Sequence, residues 1–117
     1  VTKQVTYKVS RTAKRFHNSN KIVRGFLGCV GNGKSVACIN ELHKMAVQQE
    51  PNDHGIRKTK MVIVRNTYDM LETTTLATFR QWIPEQICRV TLKPMRGLIK
   101  YPLQDGTTVE SQIIFLA

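Results

Sequence analysis

Eight consecutive residues, Gly28-Cys29-Val30-Gly31-Asn32-Gly33-Lys34-Ser35, satisfy the spacing G-x-x-x-x-G-K-[ST] without a mismatch. The chemistry this spacing serves is phosphate binding. Backbone N–H groups of such a loop and the first turn of the helix after it converge on an anion. Glycine at positions 28, 31 and 33 keeps side chains out of that approach. Lys34 would then reach the β- and γ-phosphates, and the Ser35 hydroxyl would ligate Mg²⁺. The nucleotide-contacting set is thus Gly28, Val30, Gly31, Asn32, Gly33, Lys34, Ser35 and Val36. An ordinary glycine-rich strand-to-helix turn would fit the bare pattern too, so the flanking elements decide.

Those flanks have the required character. Ile22–Leu27 reads as a strand feeding the loop, interrupted at Arg24. After the loop, Val36, Ile39, Leu42, Met45 and Ala46 recur at three- and four-residue intervals, the stripe of a helix packed on a sheet. That helix should end near Gln49–Glu50, ahead of Pro51. Met61-Val62-Ile63-Val64 reads as a parallel strand buried on both faces. Arg65 follows at its carboxyl end, where open α/β sheets bind ligands, and is a candidate phosphate or partner-subunit contact. Asp69 and Glu72 have capping-box spacing for a helix running to Trp82 or Ile83, with Leu71, Thr75, Phe79, Trp82 and Ile83 as its apolar face. Residues 85–94 carry little pattern. Beyond them Leu98–Leu103, Asp105-Gly106 and Thr107–Leu116 form a hairpin, with Val109, Ser111, Ile113 and Phe115 on one face.

Upstream, Val5, Tyr7 and Val9 alternate as in an exposed strand, while Ser10 or Thr12 would instead cap a short helix leading to Phe16. Phe16 and His17 lie where the base of a nucleotide often packs in P-loop proteins, and Phe16 serves equally as a core anchor. The expected organisation is a basic lead-in, residues 1–20, followed by the first part of a P-loop domain, residues 21–117. At 117 residues with 41% apolar content the chain can bury one core. It begins at Val1 and ends in Ile113-Ile114-Phe115-Leu116-Ala117, which reads as a strand and suggests a piece of a larger protein.

The net charge is +10, from 18 basic and 8 acidic residues, and no acid precedes Glu41. Such a balance favours polyanionic partners or a strongly solvated surface. Cys29, Cys38 and Cys88 have neither metal-ligand nor disulfide-framework spacing. No apolar run is long enough to span a bilayer.

The sequence resembles the ATPase domain of the large terminase subunit of tailed bacteriophages, especially podovirus-like members. The likeness rests on Phe16-His17, Val23-Arg24-Gly25, the loop 28–35 with Val36-Ala37-Cys38 behind it, Val64-Arg65-Asn66-Thr67-Tyr68, Thr73-Thr74-Thr75, Trp82-Ile83-Pro84, and Asp105-Gly106-Thr107 leading to Phe115-Leu116-Ala117. It implies an α/β P-loop NTPase fold, a three-layer αβα sandwich incomplete at its C-terminal side. It also implies ATP and Mg²⁺ as cofactors, with Lys34 and Ser35 holding them and Lys34, Arg24 or Arg65 neutralising the γ-phosphate. The implied partners are double-stranded DNA, a portal protein, a small terminase subunit and further copies in a ring. The implied location is the host cytoplasm, at the procapsid portal. Members of this family carry a metal-binding acid, a catalytic glutamate and a nuclease domain on later sequence. Asn32 departs from the serine usual in such loops, although its backbone serves equally. Two other readings use the same residues: a helicase-like nucleic-acid ATPase, and a basic DNA-binding module that retains a nucleotide fold without catalysis.

Overall fold

A computed structural model of the chain describes residues 6–25 and 33–117. Within them α1 (Arg11–Asn18) and α2 (Lys34–Gln48) precede β1 (Ile56–Val64). A continuous helical segment follows, made of α3 (Tyr68–Met70), a π-helical turn (Leu71–Thr75) and α4 (Leu76–Trp82). The chain closes with β2 (Cys88–Leu92), β3 (Met95–Pro102) and β4 (Thr108–Leu116). The strands form one mixed sheet in the order β1-β4-β3-β2. β1 runs parallel to β4, and the pairs β3–β4 and β2–β3 are antiparallel. The architecture is mixed α/β, as the pattern of periods predicts.

Strand alternation sorts the sheet into two unlike faces. Met61, Ile63, Val109, Ser111, Ile113, Phe115, Met95, Gly97, Ile99 and Cys88 point one way and meet α2 and α4 in the core. Phe79 lies at the centre, edge-on to Phe115 with ring centroids 5.4 Å apart. A Cβ on Gly97 would touch both Cys88 Sγ and the Phe79 ring, so this strand position leaves the space Phe79 fills. Burial holds the Cys88 thiol well up, at about 11. The opposite face carries Lys58, Lys60, Val62, Val64, Arg89, Arg96, Leu98, Lys100 and Glu110, and no described helix packs on it.

The run Met61–Val64 is therefore buried on one face only, against the expectation of two: Val62 and Val64 are 48% and 67% exposed. Leu116 likewise lies on the open face, 49% exposed. Ile22 and Val23 are fully exposed and the backbone over 22–25 is not a strand, so the expected feeding strand is absent from the part of it described. Residues 26 and 27 lie outside the described residues. Met45, expected in the packing stripe of α2, is half exposed; the helix instead buries Ala37, Ile39, Glu41 and Ala46. β2 had no sequence signal because three of its five residues are exposed and, among the described residues, it pairs through only one edge.

Two caps decide helix starts. Ser10 Oγ accepts from the Ala13 N–H at 3.1 Å, which selects the helix over the exposed strand for the lead-in. Thr67 Oγ1 accepts from the Met70 N–H at 3.2 Å, so Thr67 and not Asp69 is the cap of the third helical segment. The threonine run then widens that segment by a residue. The Leu76 N–H reaches Leu71 O, five residues back, while the Thr73 hydroxyl donates to Asp69 O at 2.7 Å. The wide turn keeps Leu71, Thr75, Leu76 and Phe79 all facing the core.

The β3–β4 turn is set by Asp105, which accepts from the Thr107 hydroxyl, from the Thr107 N–H at 2.9 Å and from Arg57 at 3.0 Å. The Thr107 hydroxyl and N–H, then Arg57, hold its carboxyl down at about 2. Gly106 takes a φ of +88° there, a conformation open to glycine.

Phe79 is 1% exposed and packs edge-on to Phe115 at the centre of the core. Phe79→Ala is expected to cost about 3–5 kcal/mol in urea unfolding, with an unchanged slope; a loss under about 1 kcal/mol would mean the centre of the core lies elsewhere.

Candidate phosphate-binding site

The loop positions Gly28, Val30, Gly31 and Asn32 lie outside the described residues, as does Cys29. What is described is the end of the motif. Gly33 has a φ of +76°, and open space surrounds the position a Cβ would take. It is the N-cap of α2, and no side chain caps the helix there. Lys34, Ser35 and Val36 form the first turn, in which there is no acidic residue. The first N–H groups of a helix lack intrahelical acceptors and carry the positive end of its dipole. The donor chemistry therefore fits a phosphate chain with its Mg²⁺: an ammonium, a hydroxyl in the first turn, and an unobstructed glycine. Among the described residues no cluster of His, Cys, Asp or Glu could hold a metal ion unaided.

The far end of α2 leads into β1 through residues 49–55, and Arg57 at the start of β1 donates to Gln49 O at 2.6 Å. Arg65 leaves the carboxyl end of β1, where ligands of open α/β sheets bind, its N–H donating to Leu116 O at 3.0 Å. At the other end of α2, Gly33 and Val36 line a concavity with Tyr7, Ser10, Ala13 and Trp82.

Two turns along α2 stands Glu41, only 5% exposed. Its Oε2 accepts from Arg24 Nη1 at 2.8 Å, and its Oε1 from His17 Nδ1 at 2.8 Å. Lys44 Nζ lies 3.4 Å from Oε1 and also donates to His17 O. A carboxylate only accepts, so His17 donates from Nδ1, and its Nε2 faces the Tyr7 hydroxyl at 3.0 Å. Tyr7 in turn stands edge-on to Trp82, centroids 5.7 Å apart. Burial alone would raise the Glu41 carboxyl, but the hydrogen bonds from His17 and Arg24 and the charges of Lys44 and Arg24 outweigh it and hold it low.

The expected site residues therefore separate. Arg24 turns to Glu41 and to Phe16 O at 3.2 Å, and its guanidinium lies 5.3 Å from the centre of the Phe16 ring. Phe16, half-buried, lines a concavity of about 390 Å³ with Arg15, Val23, Arg24 and Gly25. Both ring nitrogens of His17 are engaged within the protein. Glu41, Tyr7 and Lys44 were not expected at all. One signal was present: Glu41 is the first acid of the chain, set among eight preceding cations, at a helix position flanked by Ala37 and Ile39.

Comparison with protein-family models, with curated proteins and with solved structures finds no match to this chain.

The network makes a pH prediction. A carboxyl held below its ordinary value stabilises the fold fully above that value and loses the contribution as pH falls through the folded one. Stability should be level from pH 7 to about 5 and then decline, and Glu41→Gln should flatten the decline attributable to this residue. Glu41→Ala, which strands Arg24 and His17, is expected to cost about 3 kcal/mol at pH 7. Equal acid sensitivity in wild type and Glu41→Gln, read by chemical denaturation, would remove Glu41 from the account.

Proposed function

We propose that this chain supplies the triphosphate-binding part of an ATPase of the DNA-packaging kind, as the likeness to large terminase subunits implies. The observation that carries the reading is the left-handed Gly33 directly before the Lys34-Ser35 turn of a sheet-packed helix. A glycine-dependent bend, a lysine and a hydroxyl in that order are the end of a phosphate-binding loop. The carboxyl-edge position of Arg65 and the excess of cations agree with it.

In this reading Lys34 and the first-turn N–H groups balance the charge of the terminal phosphates, and Ser35 ligates the Mg²⁺ between them. Bound magnesium nucleotide supplies an electrophilic terminal phosphorus. Arg65, at the carboxyl end of β1, is the further cation this reading assigns to the phosphates. Arg24, engaged with Glu41, acts as a tether between the segment entering the loop and the helix leaving it. Phe16, with Arg24 over its ring, is the apolar wall this reading assigns to a nucleobase.

Hydrolysis needs a base to orient water, and the eight carboxylates leave no clear one. Glu41, Asp105 and Glu110 are paired with cations. Glu50 and Asp53 follow the far end of α2. Asp69, Glu72 and Glu85 follow no apolar strand in the manner of a catalytic acid. The chain alone is therefore expected to bind nucleotide and turn it over no faster than a Lys34→Ala control.

Titration with a fluorescent ATP analogue tests the reading. Binding should require Mg²⁺ for full affinity and weaken at least about tenfold in Lys34→Ala, a loss of about 1.4 kcal/mol. Nucleotide binding indifferent to Lys34→Ala would overturn it, and DNA binding indifferent to nucleotide would favour a non-catalytic DNA-binding module.

A further inference from the structure

The open face of the sheet is a trough with charged walls. Its floor is the outward row of β4, Gln112, Ile114 and Leu116, joined by Leu98 of β3. Lys58 and Lys60 of β1 stand along one side, and Arg96 of β3 and Arg89 of β2 along the other. The central part is a concavity of about 590 Å³. Toward the carboxyl end of β1 the floor widens into an apolar strip through Val62, Val64 and Leu116, each about half exposed or more. Glu110 is the one acid on the face and is already shared by Lys58 at 3.6 Å and Lys100 at 3.7 Å. Among the described residues Lys60, Arg89 and Arg96 have no anionic partner.

We propose that this trough is a docking surface for a partner protein's amphipathic α-helix, with its apolar stripe on Ile114, Leu98 and Leu116 and acidic residues along both flanks. Three observations select that occupant. β1 and β4 pair in parallel, the arrangement that in all-parallel sheets goes with cover on both faces. The cations stand on both sides of an apolar floor, which matches a helix about 10 Å wide whose flanking positions are acidic. Among the described residues no aromatic side chain lies on this face, so they offer single-stranded nucleic acid nothing to stack on. A second copy of the chain would bring like charge to like. The proposal does not depend on nucleotide binding.

The test uses a synthetic helical peptide of about 21 residues built on the repeat Glu-Leu-Ala-Ala-Leu-Glu-Glu. A version with glutamine for every glutamate and a duplex DNA of about 20 base pairs are run beside it. Binding is read by fluorescence anisotropy and by amide shifts in residues 58–64, 96–100 and 110–116. The acidic peptide is expected to bind and to move those amides. Its affinity should fall at least about tenfold with the glutamine peptide and with the exposed double variant Lys60→Glu/Arg96→Glu, whose fold is checked by circular dichroism. Absence of peptide binding, binding indifferent to the charge reversal, duplex DNA outcompeting the peptide on these amides, or concentration-dependent self-association through them would each overturn the proposal.

Discussion

The buried carboxylate of Glu41 is the constraint on which the first half of the molecule depends. An ionised carboxylate taken out of water is costly unless its lone pairs are filled, and here Arg24, His17 and Lys44 fill them. Because those partners come from three places along the chain, one charge fixes three segments. α1 is held through His17, the stretch before the loop through Arg24, and α2 carries the carboxylate itself. Apolar packing would have held α1 to α2 less specifically: among its eight residues only Ala13 is buried. The basic lead-in is thus fastened to the core by charge, and the chain entering residues 26–32 is tied close to the helix that leaves them.

The second half obeys a different constraint. β3 and β4 alternate almost perfectly between buried and exposed, and their facing residues close over Phe79. Here the hydrophobic effect, a few kcal/mol for each large side chain fully buried, holds the core, and the ion pairs of Asp105 and Glu110 stay outside it. Gly97 makes room for the Phe79 ring, and the widened turn at Leu71–Thr75 restores the core phase of the helix above it.

How much of this was legible follows from which force acts. Elements organised by apolar period were readable: α2 to within a residue at its end, the inward face Val109, Ser111, Ile113, Phe115, the turn at Asp105-Gly106, and the helix ending at Trp82. Elements organised by a single polar contact were not. Thr67 supersedes Asp69 as a cap because its hydroxyl reaches a free N–H two residues earlier, which spacing alone does not rank. The Glu41 network joins residues up to 27 apart in sequence, and no local period records it. Ile22 and Val23 show the converse failure. Two β-branched residues look like a strand, yet Arg24 beside them is drawn to Glu41 and the ladder is not extended.

The same distinction separates the two faces of the sheet. An apolar run such as Met61–Val64 says that a strand will form, but not whether one face or both will be covered. The charges flanking it carry that information. Lys58 and Lys60 fall on the same face as Val62 and Val64, and a lysine pair on a face destined for the core would have to shed its hydration without compensation. Their presence in phase with exposed valines therefore describes a surface that stays wet or meets opposite charge. That inference applies equally to Arg89 and Arg96, which the pairing of β2 with β3 brings to the same face from a stretch that has no readable period of its own. Position in the ladder, more than composition, turns scattered cations into a surface with a direction.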